Sequence, residues 1–200
     1  MELVVESIGF GSGDEYVIKE LALSSVCGQH LAHYVFKPPK AWSSLSEATK
    51  QEYRRAMRDE HGICWGEGDI DYAQLGMTLK RAVERAVALY ARGAEKCRLF
   101  SRLCARTFID MDAEFGAPPA SHTALKGKTC LLPCHAVPCM TCALNEAVCL
   151  SKWLNYYCQT LKINNLCCQT KSELKETASV DEVDAMSLKQ EDCVCRRRRK

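Results

Sequence analysis

The first 36 residues alternate between strand-forming segments and turn residues, and this pattern limits the possible folds more than any other feature of the chain. Residues 3–10 and 16–23 are rich in β-branched and aromatic side chains, and the Gly-Ser-Gly-Asp sequence at 11–14 separates them. This pattern predicts a hairpin, followed by a third strand at 30–36. Prolines 38 and 39 end that strand, because proline lacks the N–H donor that a sheet requires. The chain therefore begins as three antiparallel strands.

Helix and strand patterns alternate after these strands. Residues 47–60 predict a charged helix, and a second helix is expected to begin at Asp69 or Asp71. Residues 86–90 fit either an extension of this helix or a short buried strand, and periodicity does not distinguish the two. The other predicted elements are a helix at 94–104, a strand at 106–111 and a closing helix at 142–157. This order indicates an α/β domain whose mixed sheet opens with three antiparallel strands and is flanked by helices.

The composition is that of a globular protein with one main domain. Hydrophobic residues make up 47% of the 200 residues and charged residues 26%. The net charge of +2 provides no global attraction for nucleic acid or membrane, so any such argument must be local. From residue 171 onward the chain is polar and contains no aromatic residue. We therefore expect a domain at 1–165, with a Cys/His-rich loop at 130–142, and a disordered tail at 170–200.

The sequence contains no pattern typical of a membrane protein or a secreted protein. No stretch reaches the roughly 18 consecutive apolar residues of a membrane span, and residues 1–2, Met-Glu, do not open a secretory signal. We expect an intracellular protein, nuclear or cytoplasmic, with no transmembrane segment. Its 14 cysteines are therefore interpreted as reduced thiols or metal ligands rather than as a disulfide framework.

Cys130, Cys134, His135, Cys139 and Cys142 form the densest group of candidate metal ligands in the chain. Zn²⁺ prefers four tetrahedral sulfur or nitrogen ligands, and the spacing of the last two cysteines lets a short turn present two thiolates to one ion. We expect structural zinc here, because four protein ligands leave no open position for a catalytic water. The alternative is a run of buried free cysteines that pack as small hydrophobic side chains.

Three segments carry acidic residues at spacings that suggest catalytic motifs. They are Val4-Val5-Glu6-Ser7-Ile8-Gly9, Leu89-Tyr90-Ala91-Arg92-Gly93-Ala94-Glu95 and Cys142-Ala143-Leu144-Asn145-Glu146-Ala147. With the element order, they resemble the DEDD exonuclease superfamily. In that family an acid-x-acid pair ends the first strand, a second acidic motif follows, and a histidine and an acid flank an Ala-Leu pair in the last motif. The resemblance implies a ribonuclease-H-like fold and, if activity is retained, a metal-dependent 3′–5′ exonuclease.

Two positions depart from the pattern of this family. Ile8 stands where the second acid of the first motif is expected, and Thr141 stands where the proton-accepting histidine is expected. Two-metal hydrolysis needs several carboxylates that converge on Mg²⁺ or Mn²⁺, and isoleucine neither binds a metal nor titrates. Glu20, on the neighbouring strand, can in principle compensate. The implied catalytic residues are Glu6, Glu20, Glu95 and Glu146.

A second set of motifs lies at residues 18–22 (Ile-Lys-Glu-Leu-Ala), 36–39 (Phe-Lys-Pro-Pro), 61–65 (His-Gly-Ile-Cys-Trp) and 142–144 (Cys-Ala-Leu). These motifs resemble uncharacterised proteins of arthropod genomes and of some viral or mobile-element sequences, over about residues 1–160. Both resemblances together imply a catalytically degenerate exonuclease-like domain, derived from a virus or mobile element, that binds nucleic acid or protein. The alternatives are an active metal-dependent exonuclease and a zinc-stabilised protein-interaction module.

The chain ends with five consecutive cations, which attract phosphate groups or a nuclear import receptor. They are Arg196, Arg197, Arg198, Arg199 and Lys200. We expect nuclear targeting or nonspecific nucleic-acid contact through this run. The rival interpretation is membrane attachment through an acylated Cys193 or Cys195 beside the basic residues.

Overall fold

The computed structural model describes residues 1–116, His135 and residues 142–176, with side chains up to residue 161 except that of Asp14. The chain divides into two compact units, residues 1–159 and 160–200, and the sheet belongs to the first. Three of the predicted zinc ligands lie outside the described residues, as does the basic run at 196–200. These three are Cys130, Cys134 and Cys139, and Thr141, which stands where the family has a histidine, also lies outside.

Five strands form one mixed sheet in the order β3-β2-β1-β4-β5. The strands are β1 (Glu2–Phe10), β2 (Val17–Ser25), β3 (Leu31–Val35), β4 (Ala88–Ala91) and β5 (Ile109–Asp110). β1 and β2 are antiparallel, as are β2 and β3, whereas β4 is parallel to β1 and β5 is parallel to β4. The predicted α/β class, with a mixed sheet that opens with three antiparallel strands, is confirmed.

The hairpin between β1 and β2 contains a bulge at Gly9. The pairing register shifts between Ile8 and Gly9, and a Cβ atom on Gly9 would lie 1.9 Å from the carbonyl oxygen of Val17. Only glycine permits so close an approach of the two strands. The hairpin then turns through a short 3₁₀ segment at Gly13–Glu15, within the glycine-rich region that the sequence indicates.

Five α-helices accompany the sheet. They are α1 (Glu47–Asp59), α2 (Leu75–Ala82), α3 (Ala94–Cys104), α4 (Met111–Phe115) and α5 (Ala143–Glu176). None of these described helices is both long and apolar enough to cross a membrane. Two elements differ from the sequence-based expectation. The strand predicted at 106–111 is reduced to β5 because the Asp110 carboxylate accepts a hydrogen bond from the Asp112 N–H at 3.1 Å and starts α4. The closing helix continues past residue 157 to Glu176.

The two faces of the sheet are covered by different helices. Successive residues of a strand point to opposite faces, so Leu3 and Val5 join the core formed with α2 and α3, whereas Val4 packs against α5. The hydroxyl groups of Ser24 and Ser151 are 2.8 Å apart and connect β2 to α5. Glu6 shares the α5 face because it is two residues from Val4. The alternation therefore places a carboxylate between the sheet and a helix.

A buried lysine connects β2 to the loops beside it. Lys19 is fully buried, and its Nζ donates hydrogen bonds to three backbone carbonyl oxygens. The acceptors are Phe36 at 2.5 Å, Trp65 at 2.8 Å and Glu67 at 2.5 Å. Burial lowers the pKa of Lys19 to about 8, against the opposing effect of Glu67. Two of the three anchored carbonyls belong to the glycine-rich loop that includes residues 65–67.

Candidate functional site: a metal-ligand group and a neighbouring cavity

Glu20 on β2 is the centre of a buried group of metal-ligating side chains. Its Oε1 accepts hydrogen bonds from His33 Nε2 at 2.7 Å and from Cys142 Sγ at 3.5 Å, and it lies 3.6 Å from His135 Nε2. Its Oε2 accepts a hydrogen bond from the Ala143 N–H, at the beginning of α5, at 3.0 Å. The ligand atoms of Glu20, His135 and Cys142 all lie within 4.8 Å of one another. The three side chains can therefore hold a metal ion.

The electrostatics of this group suit a metal ligand. Burial raises the pKa of the Glu20 carboxyl, but hydrogen bonds from His135, His33 and the Ala143 N–H outweigh burial and lower the pKa to about 2. The carboxylate is therefore ionised at neutral pH. It also lies at the N-terminus of α5, where the helix dipole favours a negative charge.

His135 has the hydrogen-bond arrangement of a metal-ligating histidine. Its Nδ1 lies 2.6 Å from the carbonyl oxygen of His61. Because a carbonyl only accepts hydrogen bonds, Nδ1 carries a proton, and Nε2 faces Glu20, where loss of its own proton would make it available to a metal ion. Histidines that bind metals usually donate their second ring N–H to a carbonyl or carboxylate in this way, which fixes the tautomer and orients the ring.

The structure brings together two of the five metal ligands predicted from the sequence. His135 and Cys142 are adjacent, and the described residues add Glu20, which the sequence analysis placed among the catalytic carboxylates rather than among the zinc ligands. A sequence signal for Glu20 existed. It is a carboxylate within the Ile-Lys-Glu-Leu-Ala-Leu segment, and a fully buried charge needs a partner or a metal.

A second carboxylate cluster lies on β1. The Glu6 side chain is 1% exposed, and one of its carboxylate oxygens contacts the Nζ of Lys96 on α3. Burial raises the pKa of Glu6 to about 7; Lys96 opposes this rise, and the neighbouring Glu146 carboxylate adds to it. Glu6 and Glu146, two of the predicted catalytic carboxylates, are therefore close enough to interact.

The other catalytic positions predicted from the sequence have different environments. Ile8 packs in an apolar cluster with alanines of β2 and α5, so the second acid position of the first motif is an apolar contact. Glu20 lies opposite Ile8 in the strand register, but its oxygens are engaged by the group described above. Glu95 is exposed, in the first turn of α3. The described carboxylates therefore do not form the unobstructed set that a two-metal site requires.

A cavity of about 1000 Å³ lies beside Glu6. It is bordered by the glycine-rich hairpin, α3 and Glu146, at the edge of the sheet where the parallel strand β4 ends and α3 begins. Open α/β sheets commonly bind ligands at this edge. The charged side chains that line the cavity are three cations and three acids: Lys96, Arg98, Arg102, Glu60, Glu95 and Glu146.

Two residues that line this cavity each have a side-chain polar atom without a hydrogen-bond partner among the described residues. These atoms are Ser7 Oγ and His61 Nε2, and both are buried. Burial and the neighbouring His135 lower the pKa of His61 to about 4, so the ring is neutral at pH 7. Its Nδ1 accepts a hydrogen bond from the Ile63 N–H at 3.1 Å, which leaves the proton on Nε2.

No protein-family model, curated protein or solved structure matches this chain. The structure defines it as an α/β protein whose mixed sheet carries two buried carboxylates in different surroundings. One belongs to an oxygen, nitrogen and sulfur ligand group that can hold a metal, and the other contacts a lysine beside a large cavity.

Proposed function

We propose that this protein is a catalytically degenerate, exonuclease-like domain of ribonuclease-H-like topology that binds single-stranded nucleic acid in its cavity. The strand order, with three antiparallel strands followed by two parallel strands, supports that topology. A cavity of about 1000 Å³ has the size of a ligand pocket and admits unpaired nucleotides, whereas a duplex does not fit into such a space.

The observation that carries the proposal is the contact between Glu6 and Lys96. In the family that the sequence resembles, the first acid binds a metal ion, but here an ammonium group neutralises it. The second acid position, Ile8, packs among apolar side chains. In this arrangement two metal ions would lack the carboxylate ligands that phosphodiester hydrolysis requires. The cavity beside Glu6 is still present. Binding without cleavage follows.

The wall formed by α3 suits a phosphate backbone. Arg98 and Arg102 are four residues apart and therefore lie on the same side of the helix, where both are exposed and line the cavity. Guanidinium groups bind phosphate oxygens through paired hydrogen bonds. Ser7 and His61 also line the cavity and add uncharged polar residues to its wall. The acids that also line the cavity limit the total attraction, so we expect moderate affinity.

A structural zinc ion is the second part of the proposal. A carboxylate, an imidazole and a thiol are ligands of Zn²⁺, whereas Mg²⁺ and Ca²⁺ prefer oxygen ligands alone. Glu20, His135 and Cys142 would hold the ion. The ion would link β2 to the beginning of α5 and would keep α5 against the sheet face that carries Glu6.

Nucleic-acid binding is tested by fluorescence anisotropy with labelled single-stranded and duplex oligonucleotides. The protein is the full chain with the five terminal cations replaced by serine, so that the tail does not contribute. Arg98→Ser/Arg102→Ser should weaken single-strand binding at least tenfold. The slope of the logarithm of the binding constant against the logarithm of the salt concentration should become shallower by about 1.4, because two phosphate contacts are lost. Lys80→Ser/Arg81→Ser removes two exposed cations outside the cavity and should bind like the parent. Equal affinities for all three proteins would contradict binding in the cavity.

The loss of catalysis is tested by a time course with labelled single-stranded DNA and RNA in Mg²⁺ and in Mn²⁺. We expect no cleavage by the folded parent. Cleavage that disappears in Glu6→Gln/Glu146→Gln would show that the neutralised carboxylates still support hydrolysis, and the degenerate interpretation would then be wrong.

A further inference from the structure

His33 connects β3 to the group of side chains around Glu20. It lies opposite Ala22 in the pairing of β3 with β2, so its side chain shares the α5 face of the sheet with Glu20. Its Nε2 lies 2.7 Å from Glu20 Oε1. The side chains of Glu20 and His135 are fully buried, whereas that of His33 is 21% exposed. His33 therefore approaches this buried group from its solvent side.

The distances around Glu20 Oε1 separate two kinds of contact. Zinc binds oxygen and nitrogen at about 2.1 Å and sulfur at about 2.3 Å, so two ligand atoms of a tetrahedral ion lie about 3.4 to 3.6 Å apart. Glu20 Oε1 lies 3.6 Å from His135 Nε2 and 3.5 Å from Cys142 Sγ, which matches this spacing. The 2.7 Å to His33 Nε2 is too short for two ligands of one ion and is the length of a hydrogen bond. His33 is therefore a partner of the candidate ligand and not a ligand itself.

Hydrogen bonds hold both oxygens of the Glu20 carboxylate. The ionised carboxylate only accepts, so His33 Nε2 carries a proton and donates a hydrogen bond to Oε1, while the Ala143 N–H donates to Oε2. These two bonds fix the plane of the carboxylate. Each carboxylate oxygen has two lone pairs, so Oε1 can accept the bond from His33 and still bind a metal ion. On metal binding, the Cys142 thiol that donates to Oε1 would lose its proton and become a ligand.

We propose that His33 is a positioning residue for metal binding, because its N–H holds the Glu20 carboxylate in the orientation in which Oε1 binds the ion together with His135 and Cys142. Hydrogen-bond partners of metal ligands set the orientation of those ligands, and their loss typically weakens metal binding 10- to 100-fold. This inference rests on the metal-binding part of the proposed function and adds a residue outside the predicted ligand set. It makes the metal site a link between β3, β2 and α5.

The test measures Zn²⁺ affinity, by competition with a chelating indicator, and the visible absorption of bound Co²⁺, which depends on ligand identity and geometry. The proteins are the full-length parent and variants of it. His33→Phe keeps a ring but removes the donor, whereas His33→Gln keeps an N–H donor near the position of Nε2. His30→Phe is the matched control, since His30 is an exposed histidine that directly precedes β3. The melting temperature of each metal-free protein is measured in parallel.

We expect His33→Phe to weaken Zn²⁺ binding 10- to 100-fold and to change the Co²⁺ absorption, with His33→Gln closer to the parent and His30→Phe equal to it. A purely structural role would lower the metal-free melting temperature and leave the Zn²⁺ affinity and the Co²⁺ absorption unchanged. That result would overturn the proposal. An equal loss of Zn²⁺ affinity in His33→Gln and His33→Phe would also overturn it, because the donor would then not matter.

A second pair of variants covers the case in which His33→Phe does not fold. His33→Asn carries the same amide as His33→Gln on a shorter side chain that does not reach Glu20. We expect weakened Zn²⁺ binding in His33→Asn and not in His33→Gln, and equal affinities would refute the role of His33. A parent that binds neither Zn²⁺ nor Co²⁺ would overturn this inference and the metal part of the proposed function together. Nucleic-acid affinity is measured separately, so binding in the cavity stands or fails on its own result.

Discussion

Replacement of Glu6 by glutamine should change how stability depends on pH. Burial raises the pKa of Glu6 to about 7 from the value of 4.5 for an unperturbed glutamate. Between these values the folded state binds more protons than the unfolded state, so the free energy of unfolding falls as pH rises from 4.5 to 7. The difference in pKa corresponds to a loss of about 3 kcal/mol, complete above pH 7. Glutamine does not titrate and avoids this loss.

The measurement is urea unfolding of the parent and Glu6→Gln at several values between pH 4 and pH 8. The free energy of unfolding of Glu6→Gln, relative to that of the parent, should increase by about 3 kcal/mol from pH 4 to pH 8. The midpoint should shift without a change in slope, since the same surface is exposed on unfolding. Glu52→Gln, at an exposed position of α1, is the control and should follow the parent. Parallel pH profiles for the parent and Glu6→Gln would refute the reasoning.

Three further perturbations test the fold and the metal group. Lys19→Met should lower the free energy of unfolding by about 3 kcal/mol in urea, because two buried carbonyls and one partly buried carbonyl lose their donor; an unchanged midpoint would contradict this role. Gly9→Ala should leave little folded protein by circular dichroism, whereas Gly66→Ala, with no atom within 4 Å of the added Cβ, should fold normally; similar melting curves would show that the bulge is not needed. Cys142→Ser should lose bound zinc in elemental analysis of chelator-free protein, and zinc retained at the parental level would exclude this ligand.

The sequence predicted the local elements because they depend on residues close together in the chain. Strand-forming residues around a glycine-rich turn were enough for the opening hairpin, and the helix expected at 47–60 is α1, Glu47–Asp59, with Ser46 as its cap. Residues 86–90 remained ambiguous because an apolar run of that length suits a helix or a strand. The sheet resolved this ambiguity, since β4 forms between β1 and β5.

The candidate site depended on contacts that local pattern does not contain. The sequence located His135 and Cys142 as ligands but assigned Glu20 to catalysis, because the register that brings β2 against the beginning of α5 is a tertiary property. The same holds for Lys96 and Glu6, which meet across 90 residues.

Sequence by itself determined the class of the domain, its antiparallel opening and the residue types available for chemistry. Backbone propensity and hydrophobic alternation act over a few residues, so their consequences can be predicted without a structure. Tertiary structure alone decided which carboxylate joins the histidine and cysteine and which one is neutralised by a lysine. The physical reason is that burial and charge pairing depend on the strand register and the helix placement, which arise only when the whole chain packs.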